Sequence, residues 1–237
     1  MRIKSFVLRI LKRMERKIII TGDGSHSISV PELNVAYHSV HGAIEESMHV
    51  FIEAGFYGSG RFQRPDPYKI FEVGFGTGLN ALLTLIEAEK NKIKVFYEAV
   101  ELYPLTNKEV KELNYCKQLD RPDLQSTFEK IHDCDWEKEI VITENFTILK
   151  RNENLLTLKQ QKPSNVIYFD AFAPNAQPEL WTKEIFEKMY SMLEPGGILV
   201  TYCSKGDVRR AMIAAGFSVE KLPGPPRKRE MLRARKR

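Results

Sequence analysis

A chain of 237 residues, 43% hydrophobic and 28% charged, carries enough apolar material for a sizeable core and is too hydrophobic to remain disordered. Its longest apolar runs, such as Ile18–Ile20 and Val166–Phe169, fall far short of the roughly 20 residues that cross a bilayer, which argues against a membrane span. The formal net charge is +5, and three scattered cysteines, Cys116, Cys134 and Cys203, fit reduced cytoplasmic thiols and offer no metal-ligand spacing, so no metal is expected.

Residues 1–17 read as a basic, amphipathic segment in which Arg2, Lys4, Arg9, Lys12, Arg13, Arg16 and Lys17 interrupt the apolar residues, unlike a secretory signal. Lys17–Thr21 and Ser27–Val30 read as two short strands around the turn residues Gly22, Asp23 and Gly24. The stretch Tyr37–Ala54 has helical spacing, with Ile44, Met48, Phe51 and Ile52 on one face. Gly55–Pro67, with three glycines and two prolines, is a connector, dividing an N-terminal portion (1–67) from the main domain (68–237).

Beyond it, Tyr68–Val73 reads as a strand, Leu79–Lys90 as a helix, Lys94–Val100 as a strand and Pro104–Leu119 as a helix begun by its proline. The middle is harder to parse: Trp136–Thr143 reads as an extra hairpin arm, Phe146–Lys150 as a strand and Glu153–Lys159 as a short helix. The alternation then resumes with strand Asn165–Asp170, helix Glu179–Leu193, a turn at Glu194–Gly197, strand Ile198–Cys203 and helix Lys205–Ala215. Phe217–Lys221 and Glu230–Arg235 close the chain as strands. The eight residues between them cannot house a helical crossover, so they pair antiparallel. The rhythm predicts an α/β fold with a mainly parallel, doubly wound sheet of seven strands and an antiparallel C-terminal strand.

The run Glu72-Val73-Gly74-Phe75-Gly76-Thr77-Gly78-Leu79-Asn80 carries the sharpest signal. Its glycines alternate as G-x-G-x-G, which differs from the G-x-G-x-x-G of dinucleotide folds. Such a turn lets a ligand lie against bare backbone, and S-adenosylmethionine is a ligand without the pyrophosphate that the other spacing serves. Glu72 stands at the strand end. Glu101 follows the second strand where an acid can take ribose hydroxyls, with Glu98 the weaker candidate. Asp170 ends a later strand in Asp170-Ala171-Phe172-Ala173-Pro174, and Glu194-Pro195-Gly196-Gly197 leads into the next. These features together point to the class I fold of S-adenosylmethionine-dependent methyltransferases, with S-adenosyl-L-methionine as cofactor.

Longer strings narrow the reading. Asp23-Gly24-Ser25-His26-Ser27, Tyr37-His38-Ser39, Glu45-Glu46-Ser47, Val100-Glu101-Leu102-Tyr103-Pro104, Pro178-Glu179-Leu180-Trp181 and Arg227-Lys228-Arg229-Glu230-Met231-Leu232 accompany the glycine run. From about residue 20 to residue 234 the chain resembles the methyltransferase domain of the bacterial tRNA 5-methylaminomethyl-2-thiouridine biosynthesis family, MnmC. That resemblance implies methyl transfer to the exocyclic amine of 5-aminomethyl-(2-thio)uridine at the tRNA wobble position. It also implies tRNA as partner, neither DNA nor a membrane, a cytoplasmic location, and an FAD-dependent half that this sequence is too short to include. The aminomethyl substrate then depends on other wobble-uridine modification enzymes.

By the same resemblance Glu72, Gly74, Gly76, Thr77, Gly78, Asn80 and Glu101 line the cofactor pocket, and Asp170 faces both methyl donor and acceptor amine. Asn152 stands where relatives commonly carry an acid beside the adenine. Phe172 and Trp181 are candidates to stack on the uracil, against a plain role in the core. His26, Tyr37, His38, His41 and Glu46 make a polar cluster that can cover the amine. Arg227, Lys228 and Arg229 are candidate phosphate contacts, and Arg13, Arg16 and Lys17 a weaker set. Two other readings stay open: a methyltransferase for another RNA or amine, and a catalytically silent RNA-binding module.

Overall fold

The computed structural model describes residues 15–58, 65–159 and 162–237. Residues 1–14, including Arg13, lie outside it. Two sheets organise the chain. A small antiparallel sheet joins β1 (Lys17–Ile20), β2 (His26–Val30) and β3 (Val35–Ala36). The large sheet has eight strands, in the order β10-β11-β9-β8-β4-β5-β7-β6.

The core of the large sheet is parallel. Strand β4 (Tyr68–Val73) lies between β5 (Val95–Val100) and β8 (Ser164–Phe169), with β7 (Phe146–Arg151) beyond β5 and β9 (Leu193–Thr201) beyond β8. Each of β4, β5 and β8 is almost wholly buried, as expected of strands covered on both faces. The chain runs from β4 to β5 on one side and later returns to β8 on the other, so the connection direction reverses at β4. At such a switch point the loops after neighbouring strands diverge and leave a crevice at their C-terminal ends. Val73 pairs with both Val100 and Phe169, which brings the turns after all three strands to one level.

At the far edge β10 (Ser218–Pro223) and β11 (Glu230–Arg235) pair antiparallel, and β11 pairs antiparallel with β9. The terminal hairpin is thus as expected. The expected extra arm becomes β6 (Glu139–Thr143), which pairs antiparallel with β7 and makes the sheet eight-stranded, not seven.

Helices differ more from the reading. Within Tyr37–Ala54 the backbone first turns, and helix begins only at α1 (Ala43–Ser47), continuing as the wider-turned segment Met48–Phe56. This segment buries Val50, Phe51, Ile52 and Phe56 in the same core as the β4 and β5 residues, so the N-terminal portion packs directly on the sheet. Helix α2 (Leu79–Asn91) follows the glycine turn. The expected helix over Pro104–Leu119 is two short ones, α3 (Asn107–Lys111) and α4 (Tyr115–Gln118), because Thr106 and Glu109 form a capping box that starts the helix after the proline. Helix α5 (Gln125–Asp133) lies in the stretch the pattern left blank, and 153–159 forms turns instead of a helix. Helices α6 (Lys183–Ser191) and α7 (Gly206–Ala214) cover the other face, while Glu194–Gly197 is absorbed into β9. Among the described residues no helix is long and apolar enough to cross a membrane.

Candidate functional site

The turn from β4 into α2 carries three glycines with left-handed backbone. At Gly74 (φ 88°) a Cβ would stand 2.7 Å from the Asp170 carbonyl oxygen, and at Gly76 (φ 50°) it would press on the Tyr37 ring at 3.0 Å. Both the conformation and the close approach therefore demand glycine. Gly78 caps α2 against His132, whose Nε2–H donates to the Thr77 carbonyl at 3.0 Å. Burial lowers the His132 imidazole to about 4, so it braces the turn as a neutral ring.

Glu101 ties this turn to the loop after β5. Its carboxylate accepts the Gly76 N–H at 3.0 Å and the Tyr103 N–H at 2.7 Å. Asn152, expected beside an adenine, donates Nδ2–H to the carbonyls of Glu101 (2.9 Å) and Leu102 (3.3 Å) and is exposed. The neighbouring wall is made by Leu155 and Leu156, which sequence reading missed because they belong to a stretch read as a helix.

Under the glycine turn lies a buried polar line. Asn80 Nδ2 donates to Glu72 Oε1 and to Asp170 Oδ2, each at 2.9 Å. Burial holds the Glu72 carboxyl well above the ordinary range. Asp170 is pushed up to about 8, first by burial and then by the Glu46 charge, against the lowering effect of the Asn80 hydrogen bond and the Lys228 ammonium.

Lys228 is one of the three residues expected to meet phosphate, but the fold turns it inward. Its ammonium pairs with Glu46, a side chain only 8% exposed, and sits 4.8 Å over the Tyr202 ring. Tyr202 Oη in turn donates to the Ala171 carbonyl at 2.9 Å, next to Asp170. Glu46 also accepts the Ser39 N–H at 2.7 Å. Arg227 and Arg229 remain exposed, Arg227 contacting His41 Nδ1 at 3.0 Å.

The other expected acceptor residues divide. Tyr37 meets Phe172 edge to face at 5.0 Å, and both line the cavity. His38 lies between Ser27 and Thr77 and is lowered to about 4 by burial, so it is neutral. Trp181 cannot offer a stacking face: it is buried against Phe169, Phe186 and Tyr202, and its Nε1–H donates to the Phe172 carbonyl at 2.8 Å. That bond ties Trp181 to the Phe172 loop. His26 lies apart, bonded through Nδ1 to the Glu112 carbonyl at 2.7 Å.

These elements enclose a cavity of about 550 Å³ at the C-terminal ends of the strands, within the roughly 300–1,000 Å³ usual for small-molecule sites. Tyr37, His38, Gly74, Gly76, Thr77 and Asn80 line it, with Glu101, Asp170 and Phe172. Glu72 and Gly78 stand behind it. Arg16, Val30 and Leu33 complete its roof, with no sequence motif to mark them. The fit to S-adenosyl-L-methionine rests on the chemistry of the walls. Bare glycine backbone borders the cavity, a carboxylate stands at its edge, and the buried Tyr103 Oη and Asn80 Oδ1 have no partner among the described residues. Buried polar atoms left without partners mark places where a ligand's polar groups are needed.

Residues 121–237 match a family model described as S-adenosyl-L-methionine-dependent methyltransferase. Curated relatives named tRNA 5-methylaminomethyl-2-thiouridine biosynthesis bifunctional protein MnmC are similar over most of the chain. The protein of Aromatoleum aromaticum is 31% identical over 214 residues, 85% of this chain and 32% of its own length. That of Paraburkholderia xenovorans is 28% identical over 212 residues, 83% of this chain and 31% of its own length. The chain thus spans about a third of the curated relatives it matches. The crystal structure of MnmC2 from Aquifex aeolicus superposes with a TM-score of 0.74 at 22% identity, covering 94% of this chain and 70% of that one. The spermidine synthase of Thermotoga maritima shares the fold more distantly, with a TM-score of 0.50 at 13% identity over 94% of this chain and 69% of that one.

Proposed function

Since this chain carries an S-adenosyl-L-methionine-dependent methyltransferase domain similar to the methyltransferase part of MnmC, we propose that it methylates the exocyclic amine of 5-aminomethyl-(2-thio)uridine at the tRNA wobble position. The product is the 5-methylaminomethyl nucleoside. The observation that carries the reading is Asp170: a carboxyl with proton affinity near neutrality, on the wall of the cofactor cavity, backed by the Glu46–Lys228 pair.

Bound cofactor supplies an electrophilic methyl group on a sulfonium sulfur. The acceptor nitrogen attacks with its lone pair, so it must be unprotonated, whereas a primary alkyl amine is largely protonated at neutral pH. An ordinary carboxylate near pH 4 is a poor acceptor for that proton, and a carboxyl near 8 is matched to the task. Asn80 occupies Asp170 Oδ2, leaving Oδ1 to orient the amine and, in the ionised fraction of the carboxyl that grows as pH rises towards 8, to take its proton. The Tyr37–Phe172 pair forms the aromatic border against which the uracil is placed, with Trp181 fixing the Phe172 backbone. Positioning of the amine in line with the methyl group supplies the rest of the rate.

The tRNA approaches over the rim that carries Arg227 and Arg229, whose exposed guanidinium groups neutralise phosphates without reading bases. Such a substrate places the protein in the cytoplasm, downstream of the enzymes that install the aminomethyl group. The test is methyl transfer from labelled S-adenosyl-L-methionine to tRNA bearing 5-aminomethyluridine, read by nucleoside mass analysis against unmodified tRNA. Gain of one methyl group only in the aminomethyl nucleoside supports the assignment. Cofactor binding without that gain moves the search to another acceptor.

A further inference from the structure

Among the described residues of the basic N-terminal segment, Arg16 turns its side chain into the protein. Arg16 immediately precedes β1, and its side chain is only 15% exposed. Its guanidinium crosses to the loop after β5, donating to the Tyr103 carbonyl at 2.6 Å, the Pro104 carbonyl at 3.2 Å and Glu109 Oε2 at 3.4 Å. A planar fork of five donors suits a cluster of three oxygens, and a lysine cannot span it.

Both ends of this clasp are rigid parts of the cofactor cavity. On one side the loop is an arch: Glu101 accepts the Tyr103 N–H, and Glu109 accepts the Thr106 N–H at 2.7 Å in the capping box that starts α3. On the other side Arg16 leads into β1, which pairs with β2 and through it with β3. That small sheet supplies the roof residue Val30, the helical turn between β2 and β3 supplies Leu33, and the Tyr37 N–H bonds to the Ile28 carbonyl. Tyr37 closes the opposite end of the roof on Phe172. The small sheet is also tied to the α3–α4 region by His26, bonded to Glu112 and Asn114, and Arg16 secures the end of the roof beside Glu101 and Tyr103.

We propose that Arg16 is a positioning residue of the cofactor site, a latch that fastens the N-terminal sheet to the Tyr103–Pro104 arch and sets how long S-adenosyl-L-methionine or its demethylated product stays bound. Its guanidinium is committed to these oxygens and is not a phosphate contact. Opening the latch lifts Val30, Leu33 and Tyr37 from the cavity, so release of bound cofactor waits on that motion. Cofactor residence is set this way whatever the methyl acceptor, so loss of the tRNA assignment leaves the latch standing.

The test is the dissociation rate of S-adenosylhomocysteine from the full chain by stopped flow, with affinity by calorimetry, for wild type, Arg16→Ala, Arg16→Lys and Glu109→Gln. Arg16→Ala is expected to speed release by about tenfold or more and to weaken affinity chiefly through that rate. Arg16→Lys restores charge without the fork and falls between. Glu109→Gln, which weakens one of the three contacts, gives a smaller increase and serves if Arg16→Ala fails to fold. Release within about twofold of wild type in a folded Arg16→Ala protein overturns the proposal. So does a loss of tRNA affinity in that variant, at saturating cofactor, with the release rate unchanged, since Arg16 would then be a phosphate contact.

Discussion

Replacing Asp170 by Asn tests the proton affinity of the site without reference to any substrate. The amide keeps the side chain's shape and an oxygen for the Asn80 donor, but it cannot ionise. In the unfolded chain an aspartate carboxyl ionises near pH 4, whereas in the folded protein burial and the Glu46 charge lift Asp170 to about 8. Below about pH 4 the carboxyl is protonated in both states, so its contribution to stability is fully present. As pH rises towards 8, unfolding releases a proton that the folded state retains, and that contribution is lost at about 1.4 kcal/mol per pH unit. Over about three units the ceiling at pH 7 is about 4 kcal/mol, and solvent relaxation at the cavity wall reduces the expected value to about 2 kcal/mol.

His38 and His132 act in the opposite sense. Their lowered proton affinity removes stability as pH falls below about 6.5, but they do so in both proteins and cancel in the comparison. The assay is urea unfolding of wild type and Asp170→Asn, free of cofactor, at several values between about pH 4.5 and 8. The Asn variant is expected to gain stability over wild type steadily with pH while losing about 100-fold or more in methyl transfer. A stability difference that is flat across this range would refute the elevated proton affinity and with it the assignment of Asp170 as proton acceptor.

Other outcomes follow from the same geometry. Glu101→Ala leaves the Gly76 and Tyr103 N–H groups without their acceptor and is expected to weaken S-adenosylhomocysteine binding by about tenfold or more, measured by calorimetry; unchanged affinity contradicts the site. The double variant Arg227→Ala, Arg229→Ala is expected to lower the salt dependence of tRNA binding by about two counterions. Lys228→Met is expected to leave that slope alone and to depress turnover, because Glu46 then stands unpaired beside Asp170. Trp181→Phe deletes the hydrogen bond to the Phe172 carbonyl and is expected to cost about 1 kcal/mol of stability. Its turnover should fall with cofactor affinity retained; loss of cofactor affinity instead would show that the loop serves the cofactor.

The elements that the chain spelled out best were those with the simplest physical cause. Strands β4, β5 and β8 are short apolar runs buried on both faces, and the glycine turn is constrained by backbone at Gly74 and Gly76 that no other residue accommodates. Glu101 and Asp170, which stand just after strands β5 and β8, line the cavity together with Asn80 from the first turn of α2. What escaped were features made by long-range contact. Arg16 and Lys228 have the same local signature as any solvated base, and only the fold shows one held by carbonyls 87 and 88 residues away and the other by a glutamate 182 residues away. Trp181 takes the core role that the sequence leaves open, and His26 bonds to the backbone carbonyl of Glu112. Helix starts shifted where a local device, such as the Thr106–Glu109 capping box, outweighed the apolar spacing.

The most direct measurement uses a synthetic anticodon stem-loop carrying a single 5-aminomethyluridine at the wobble position, incubated with the protein and S-adenosyl-L-methionine and sequenced by tandem mass spectrometry. One added methyl group on the exocyclic nitrogen of that nucleoside is expected, lost with Asp170→Asn and absent from a stem-loop with plain uridine. A methyl group on any other atom, or equal methylation of the plain stem-loop, would contradict the proposed function.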